Sequence, residues 1–124
     1  MPSPRNTWVP VVLGLQGAST ATREGTAGMS GVIRQITAGA AVLPTAGTLA
    51  LAKISGSASS NVLKETNLDL TTLSAGVAKD LTLAEASETL RVKASDILKA
   101  TWTVTTAGSF VGGSCVAWIE PDNT

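Results

Sequence analysis

The 124-residue chain has no histidine, no tyrosine, one cysteine, one phenylalanine and no formal net charge. Each scarcity removes a class of function. Without histidine, the commonest general base and the commonest metal ligand are missing. Cys115 stands alone, so no intramolecular disulfide can form, and a thiol-protease pair is excluded within the subunit. Its apolar neighbours predict a buried, reduced thiol, which fits assembly in a reducing cytosol. A nucleic-acid reader normally carries a positive footprint, whereas here nine basic residues are matched by nine acidic ones. No apolar run approaches the roughly 20 residues of a membrane helix. Arg5 followed by Trp8–Leu15 has a faint likeness to a signal peptide, but the stretch is short and Pro10 interrupts it. A mature, soluble chain is expected.

What is present is small and β-prone. Serine and threonine together supply 29 residues and glycine 12, while Ala, Val and Leu make most of the apolar content. Such a chain reads as short strands joined by turns around a core of modest side chains. Charge is uneven along it. Residues 1–64 carry Arg5, Arg23, Arg34, Lys53 and Lys64 against Glu24 alone, and residues 65–124 carry four basic against eight acidic groups. The polarity suits subunits that meet neighbours of opposite local charge, and chance placement on a solvated surface accounts for it equally well.

The side-chain period is two from Met29 onward. Alternation is partial in Val32–Thr37, clean in Thr48–Ile54 and strict in Asn67–Thr71, Asp80–Leu83 and Thr89–Lys93. In Lys99–Thr106, Ala100, Trp102 and Val104 face one way and the threonines the other, and Ser114–Glu120 closes the chain as a strand before Pro121. Turn signals at Ala38-Gly39, Thr45–Gly47, Ser55–Ser57, Ser74–Gly76, Ala107–Ser109 and Gly112-Gly113 separate these runs. Ala78–Leu90 would accept a helix, and Ser95-Asp96 could cap a short one, but the two-residue step of Leu81/Leu83 and Leu90/Val92 favours strands. About eight strands without βαβ spacing predict an all-β fold, an antiparallel β-sandwich of jelly-roll type. Residues 1–28, with Pro2, Pro4 and Pro10 and a Gly/Ala/Ser/Thr-rich Gln16–Gly28, are expected as an extended N-terminal arm on a sandwich domain of residues 29–124. Pro10 lacks an N–H, so any strand there should lie at a sheet edge.

Nothing in the pattern points to catalysis, a cofactor or a metal. Glu85 and Glu88 read as a solvated edge beside Lys79 and Lys93, and Asp69 and Asp80 as solvent-facing strand positions. Glu120, Asp122 and Asn123 are too few and too terminal for a calcium loop. Gly112-Gly113 lacks the lysine and helix of a phosphate cradle. The tryptophans are more informative. Trp102 and Trp118 are expected in the core. Trp8 opens the apolar island of the arm. A buried Trp removes roughly 150–250 Å², worth at most about 4–6 kcal/mol, against about 0–1 kcal/mol for an exposed ion pair. A partner gripped by the arm should therefore feel Trp8, Val9, Val11 and Leu13 more than Arg5 or Arg23, and these four with Arg5 form the candidate binding set. The same island reads equally well as an ordinary first strand. If the arm grips, deleting residues 1–15 should abolish binding and leave a folded domain.

Three segments carry a resemblance: Pro4-Arg5-Asn6-Thr7-Trp8, Gly31-Val32-Ile33-Arg34-Gln35, and Leu90–Thr101 with its strand–turn–strand ending. They resemble the small jelly-roll decoration, or cement, proteins on the capsids of tailed bacteriophages. There a glycine often precedes the aspartate, and Ser95 departs from that. The resemblance implies a structural virion protein, a homotrimer assembled in the host cytoplasm, that binds major capsid protein on the capsid's outer surface. It implies no nucleic-acid, membrane or small-molecule partner. The alternative is a receptor- or glycan-binding module of a virion fibre or surface protein. Its stacking rings would have to come from Trp8, Trp102, Trp118 and Phe110.

Overall fold

The computed structural model describes residues 8–14, 21–42, 46–104 and 113–122. They form two antiparallel sheets packed face to face. In chain order the strands are β1 (Val9–Val12), β2 (Ala21–Thr26), β3 (Gly31–Gly39), β4 (Gly47–Ser55), β5 (Ala58–Asn61), β6 (Leu68–Asp69), β7 (Lys79–Asp80), β8 (Arg91–Val92), β9 (Ile97–Val104) and β10 (Ser114–Pro121), with one helical turn, α1 (Ser87–Leu90). The first sheet has the order β1-β10-β3-β7, with β8 also on β3. The second has the order β2-β9-β4-β5, with β6 also on β4. The expected all-β sandwich is the fold.

Between the sheets lie Ile33, Ile36, Ala38, Cys115, Ala117 and Ile119 from the first, and Leu49, Leu51, Leu98, Ala100, Trp102 and Val104 from the second. Alternation in β4 and β9 is the one read from the sequence, because each strand buries one face only. The partial alternation of β3 has a physical cause. Trp118 pairs with Gln35 and Ile119 with Ile33, so Arg34 is the extra residue of a β-bulge. Ile33 and Ile36 both point inward although three apart, and the bulged Arg34 reaches Glu120 at 2.9 Å.

Residues 8–14 and 21–28 do not stand apart from the sandwich. β1 pairs with β10 from Val9↔Ile119 to Val12↔Val116, and β2 pairs with β9 from Ala21↔Trp102 to Thr26↔Ile97. The boundary expected at 28/29 therefore does not divide the described residues. Residues 1–7 and 15–20 lie outside them. β1 ends its sheet, the edge position that Pro10 requires. A Cβ on Gly25 would sit 2.7 Å from Val11 Cγ1, so β2 passes directly under β1.

The stretch from Asn67 to Val92 is less regular than its period. Asp69 accepts from Thr71 N at 3.0 Å and Thr71 Oγ1 at 2.7 Å, which ends β6 and folds Leu70–Thr72 into a 3₁₀ turn. These bonds also hold the Asp69 carboxyl below its ordinary pKa, the Thr71 hydroxyl contributing most. Lys79–Asp80 is the whole of β7, with Leu83 adding one bridge to Leu63. Ser87–Leu90 turns as helix where a strand was expected. Lys53 Nζ donates to the carbonyls of Glu88 at 3.0 Å and Arg91 at 2.8 Å, satisfying acceptors that the end of α1 leaves open. Leu68, Leu70, Leu81 and Val92 are nevertheless buried. The two-residue step found the inward side chains and misjudged the backbone between them. Asp96 caps no helix. Its carboxylate accepts Lys93 N at 2.9 Å and closes the turn before β9. At Gly56, φ is +63°, the sign that a II′ hairpin turn asks of its first central residue, and the β4–β5 loop turns there.

Candidate functional site

Side chains alternate along β1, so one phase faces the core and the other faces out. Val11 and Leu13 are buried in the chain's own interior and Val9 is half-buried in the same phase. Leu13 is held further by its carbonyl, which accepts the Trp102 indole N–H at 3.0 Å. Val11 and Leu13 are thus unavailable to a partner, a correction to the expected binding set. Arg5 lies outside the described residues. Deleting residues 1–15 would remove an edge strand and the acceptor of Trp102, so it cannot separate binding from folding.

The other phase of β1 is open. Pro10 is exposed, and Val12 is 70% exposed, the highest value among the large apolar side chains of the described residues. In register beside them on β10 are Trp118, opposite Pro10, and Val116, opposite Val12. Both are half-buried and face outward, away from Cys115, Ala117 and Ile119. Trp118 is therefore not in the core, a second correction. Trp8 precedes β1 and is half-buried, and its indole Nε1 is shut off from solvent with no hydrogen-bond partner among the described residues. Next along the sheet the face turns polar, with Gln35 and Thr37 on β3 and Asp80 on β7, where Gln35 Nε2 donates to Asp80 Oδ1 at 2.7 Å. The outer face of the first sheet is thus split into an apolar strip over β1 and β10 and a polar half over β3 and β7.

The edge of β1 is blunted. Leu13 N donates to Cys115 O at 2.8 Å, so the odd-numbered residues turn their main-chain groups to β10 and Pro10 and Val12 turn theirs outward. Proline has no N–H to offer there, which discourages addition of another strand.

Sequence reasoning missed Pro10, Val12, Val116 and Trp118. The signal for β1 was present, since Leu13 shares the phase of Val9 and Val11, and three aliphatic residues two apart mark an inward face. β10 gave no such signal, because both of its phases are apolar.

Several charged groups elsewhere are engaged with one another. Arg34 pairs with Glu120 at 2.9 Å and Lys64 with Glu85 at 4.0 Å, each joining the basic first half of the chain to its acidic second half. The charge separation seen along the sequence is thus offset in part inside the fold. Arg91 holds Asp122 at 3.1 Å. A cleft of about 410 Å³ at this end is lined by Lys53, Glu88, Arg91, Lys93, Asp96 and Asp122, and contains both signs of charge. Glu88 is exposed. Among the described residues no three His, Cys, Asp or Glu side chains gather as a metal site, and no helix is long and apolar enough to cross a membrane.

Cys115 is buried, and desolvation pushes its thiol from an ordinary 9.0 up to about 12. Native protein is expected to resist a thiol reagent at pH 8 and to react on unfolding, which a colorimetric thiol titration with and without urea would measure. Fast labelling of the folded chain would contradict the burial. The linkage has a definite sign. The fold favours the protonated thiol, so stability is unaffected below pH 9 and falls between about 9 and 12 by about 1.4 kcal/mol per pH unit. The substitution Cys115→Ala should remove that alkaline slope.

No family model, curated protein or solved structure matches this chain.

Proposed function

We propose that the chain is a structural virion protein that binds the outer surface of a tailed-phage capsid, reinforces contacts between major capsid protein subunits and catalyses nothing. The observation that carries the reading is the strand order. The consecutive strands β1 to β4 alternate between the sheets, and the orders β1-β10-β3-β7 and β2-β9-β4-β5 fit two Greek keys folded together. That arrangement supports a jelly roll, and with it the resemblance carried by residues 4–8, 31–35 and 90–101. The apolar strip over β1 and β10 supports a role in contact with another protein. A homotrimer on a symmetric lattice would convert a modest surface into a strong clamp, because the second and third contacts become intramolecular.

The test is reconstitution. Purified chain added to phage capsids stripped of it should co-sediment with them, occupy symmetric positions between capsid subunits, and raise the temperature at which the particles open. Failure to co-sediment at micromolar concentration would refute the proposal.

A further inference from the structure

We infer that the open edge of β2 takes an extended segment of a different protein as an added antiparallel strand. That segment brings a basic residue opposite Glu24 and, directly after it, an acidic residue opposite Arg23. Within the proposed function the different protein is the capsid protein. The inference rests on that reading for the partner's identity, and on the chain alone for the edge and its charges.

β2 ends the second sheet, and its register with β9 runs without a bulge from Ala21↔Trp102 to Thr26↔Ile97. One step further on, Ala27 N donates to Asp96 O at 2.9 Å. Arg23 and Gly25 therefore turn their main-chain groups to β9, while Thr22, Glu24 and Thr26 turn theirs away. All three are exposed. The other edges among the described residues offer less. Pro10 blunts β1, and β7 is two residues long. Val62 N donates to Leu51 O, so β5 turns out only Ser59 and Asn61. The Asn61 side chain is already bound to Leu63 N and Glu65 O. An unbroken row of unmet main-chain donors and acceptors, as on β2, is a template for one more strand.

The side chains decide which strand fits. Arg23 and Glu24 are exposed, and neither has an ion-pair partner among the described residues. As neighbours in a strand they lie on opposite faces of the sheet. Glu24 shares the outer face with Lys99, and Arg23 has the inward phase of Ala100 at the rim of the sandwich. An inward-phase cation at an edge opposes strand addition unless the newcomer neutralises it. A carboxylate opposite Arg23 and a cation opposite Glu24 turn both obstacles into cross-strand pairs. Every ladder of the two sheets is antiparallel. A strand added in that sense meets Glu24 before Arg23, so its basic residue precedes its acidic one.

A second copy does not supply this pattern. When two β2 strands pair antiparallel about a two-fold, residues opposed across the join lie on the same face. Arg23 of one copy therefore never meets Glu24 of the other. The register that uses Thr22, Glu24 and Thr26 together sets Glu24 against Glu24. A shift one way sets Arg23 against Arg23, and a shift the other way leaves Thr22 unpaired and both charges unmet. Head-to-tail addition of β2 to β5 of another copy has only the short β5 edge to use and generates an open series of copies.

The experiment titrates the full chain with terminally blocked nine-residue peptides of threonine and alanine, by calorimetry. The matched peptide has a central lysine followed by glutamate, and the reversed peptide has glutamate followed by lysine. The matched peptide should bind, and the reversed one should bind at least about tenfold more weakly, because two attractive cross-strand pairs become two repulsive ones. The double variant Arg23→Glu with Glu24→Lys should invert that preference. Both sites are exposed, so its urea midpoint should stay close to that of the parent chain. N-methylation of the matched peptide's edge-facing amides should abolish binding. The inference is overturned if the matched peptide does not bind at millimolar concentration, or if the two peptides bind the parent chain equally. It is also overturned if the chain alone forms a dimer that the matched peptide dissociates, since the edge then belongs to a second copy. Stripped capsids separate this inference from the proposed function. If they bind the double variant as well as the parent chain, the inference falls and the function stands. If they bind neither while the peptides discriminate as expected, the edge and its charge pattern stand and the function falls.

Discussion

Replacing Trp102 with alanine is expected to unfold the protein at moderate temperature. Trp102 is 0% exposed and is the largest fully buried side chain among the described residues. Deleting such a ring costs about 3–5 kcal/mol through lost burial and the cavity left behind. Here the loss goes further. The indole N–H donates to Leu13 O, which lies just past β1 in the opposite sheet, so the ring ties a strand of one sheet to a strand of the other. Its removal strands a buried carbonyl at about 1–3 kcal/mol more. Together these approach the whole stability of a small domain, about 5–15 kcal/mol. Trp102→Phe separates the two parts. It retains most of the packing and loses the bond, so urea denaturation should show a loss of about 1–3 kcal/mol. If Trp102→Ala shifts the urea midpoint no further than Trp102→Phe, the ring does not hold the core together.

That bond also explains what could be read from the sequence and what could not. The class of fold was legible because β4 and β9 each bury one face, and Leu49, Leu51, Ala100, Trp102 and Val104 fall on one phase without exception. The status of the N-terminal stretch was not legible. Composition alone made residues 1–28 resemble a tail, and only the pairing of β1 with β10 and β2 with β9 makes their described parts strands. Long-range pairing of this kind leaves no local trace beyond the phase of three aliphatic residues. In the Asn67–Val92 stretch the period was right about burial and wrong about backbone. Side-chain capture by Asp69, and by Lys53 from another strand, redirects the chain at places where hydrophobic alternation is silent. Trp118 was misread for a simpler reason. Ala117 and Trp118 are both apolar, and size alone does not say which fits between two sheets. The smaller one faces the core and the larger is left half-covered on the outside, where it belongs to the strip with Pro10 and Val12.

Close approach of backbones makes Gly31 a further sensitive position. It opens β3 between β10, where it pairs with Pro121, and β8, where it pairs with Val92. A Cβ built on Gly31 would overlap the Glu120 carbonyl oxygen and lie 2.9 Å from Ile119 Cγ2. Neither neighbour can yield cheaply, because one is main chain and the other belongs to a fully buried isoleucine. Gly31→Ala gains about 0.4–1 kcal/mol from a stiffer unfolded chain. The forced separation of β3 from β10 outweighs that gain, and a net loss of about 2–3 kcal/mol is expected, at the upper end for overpacking. Gly56→Ala is the control. Its φ of +63° makes a side chain costly by about 1–2 kcal/mol, yet nothing lies within 4 Å of the new methyl group. Gly56 turns the β4–β5 hairpin of the other sheet, so Gly56→Ala should lower stability without disturbing the packing of β3 on β10. Gly31→Ala forces β10 away from β3, so in folded protein the β10 amide hydrogens should exchange faster than in Gly56→Ala at equal stability. Equal exchange by the two variants at equal stability would mean that the added methyl group does not displace β10.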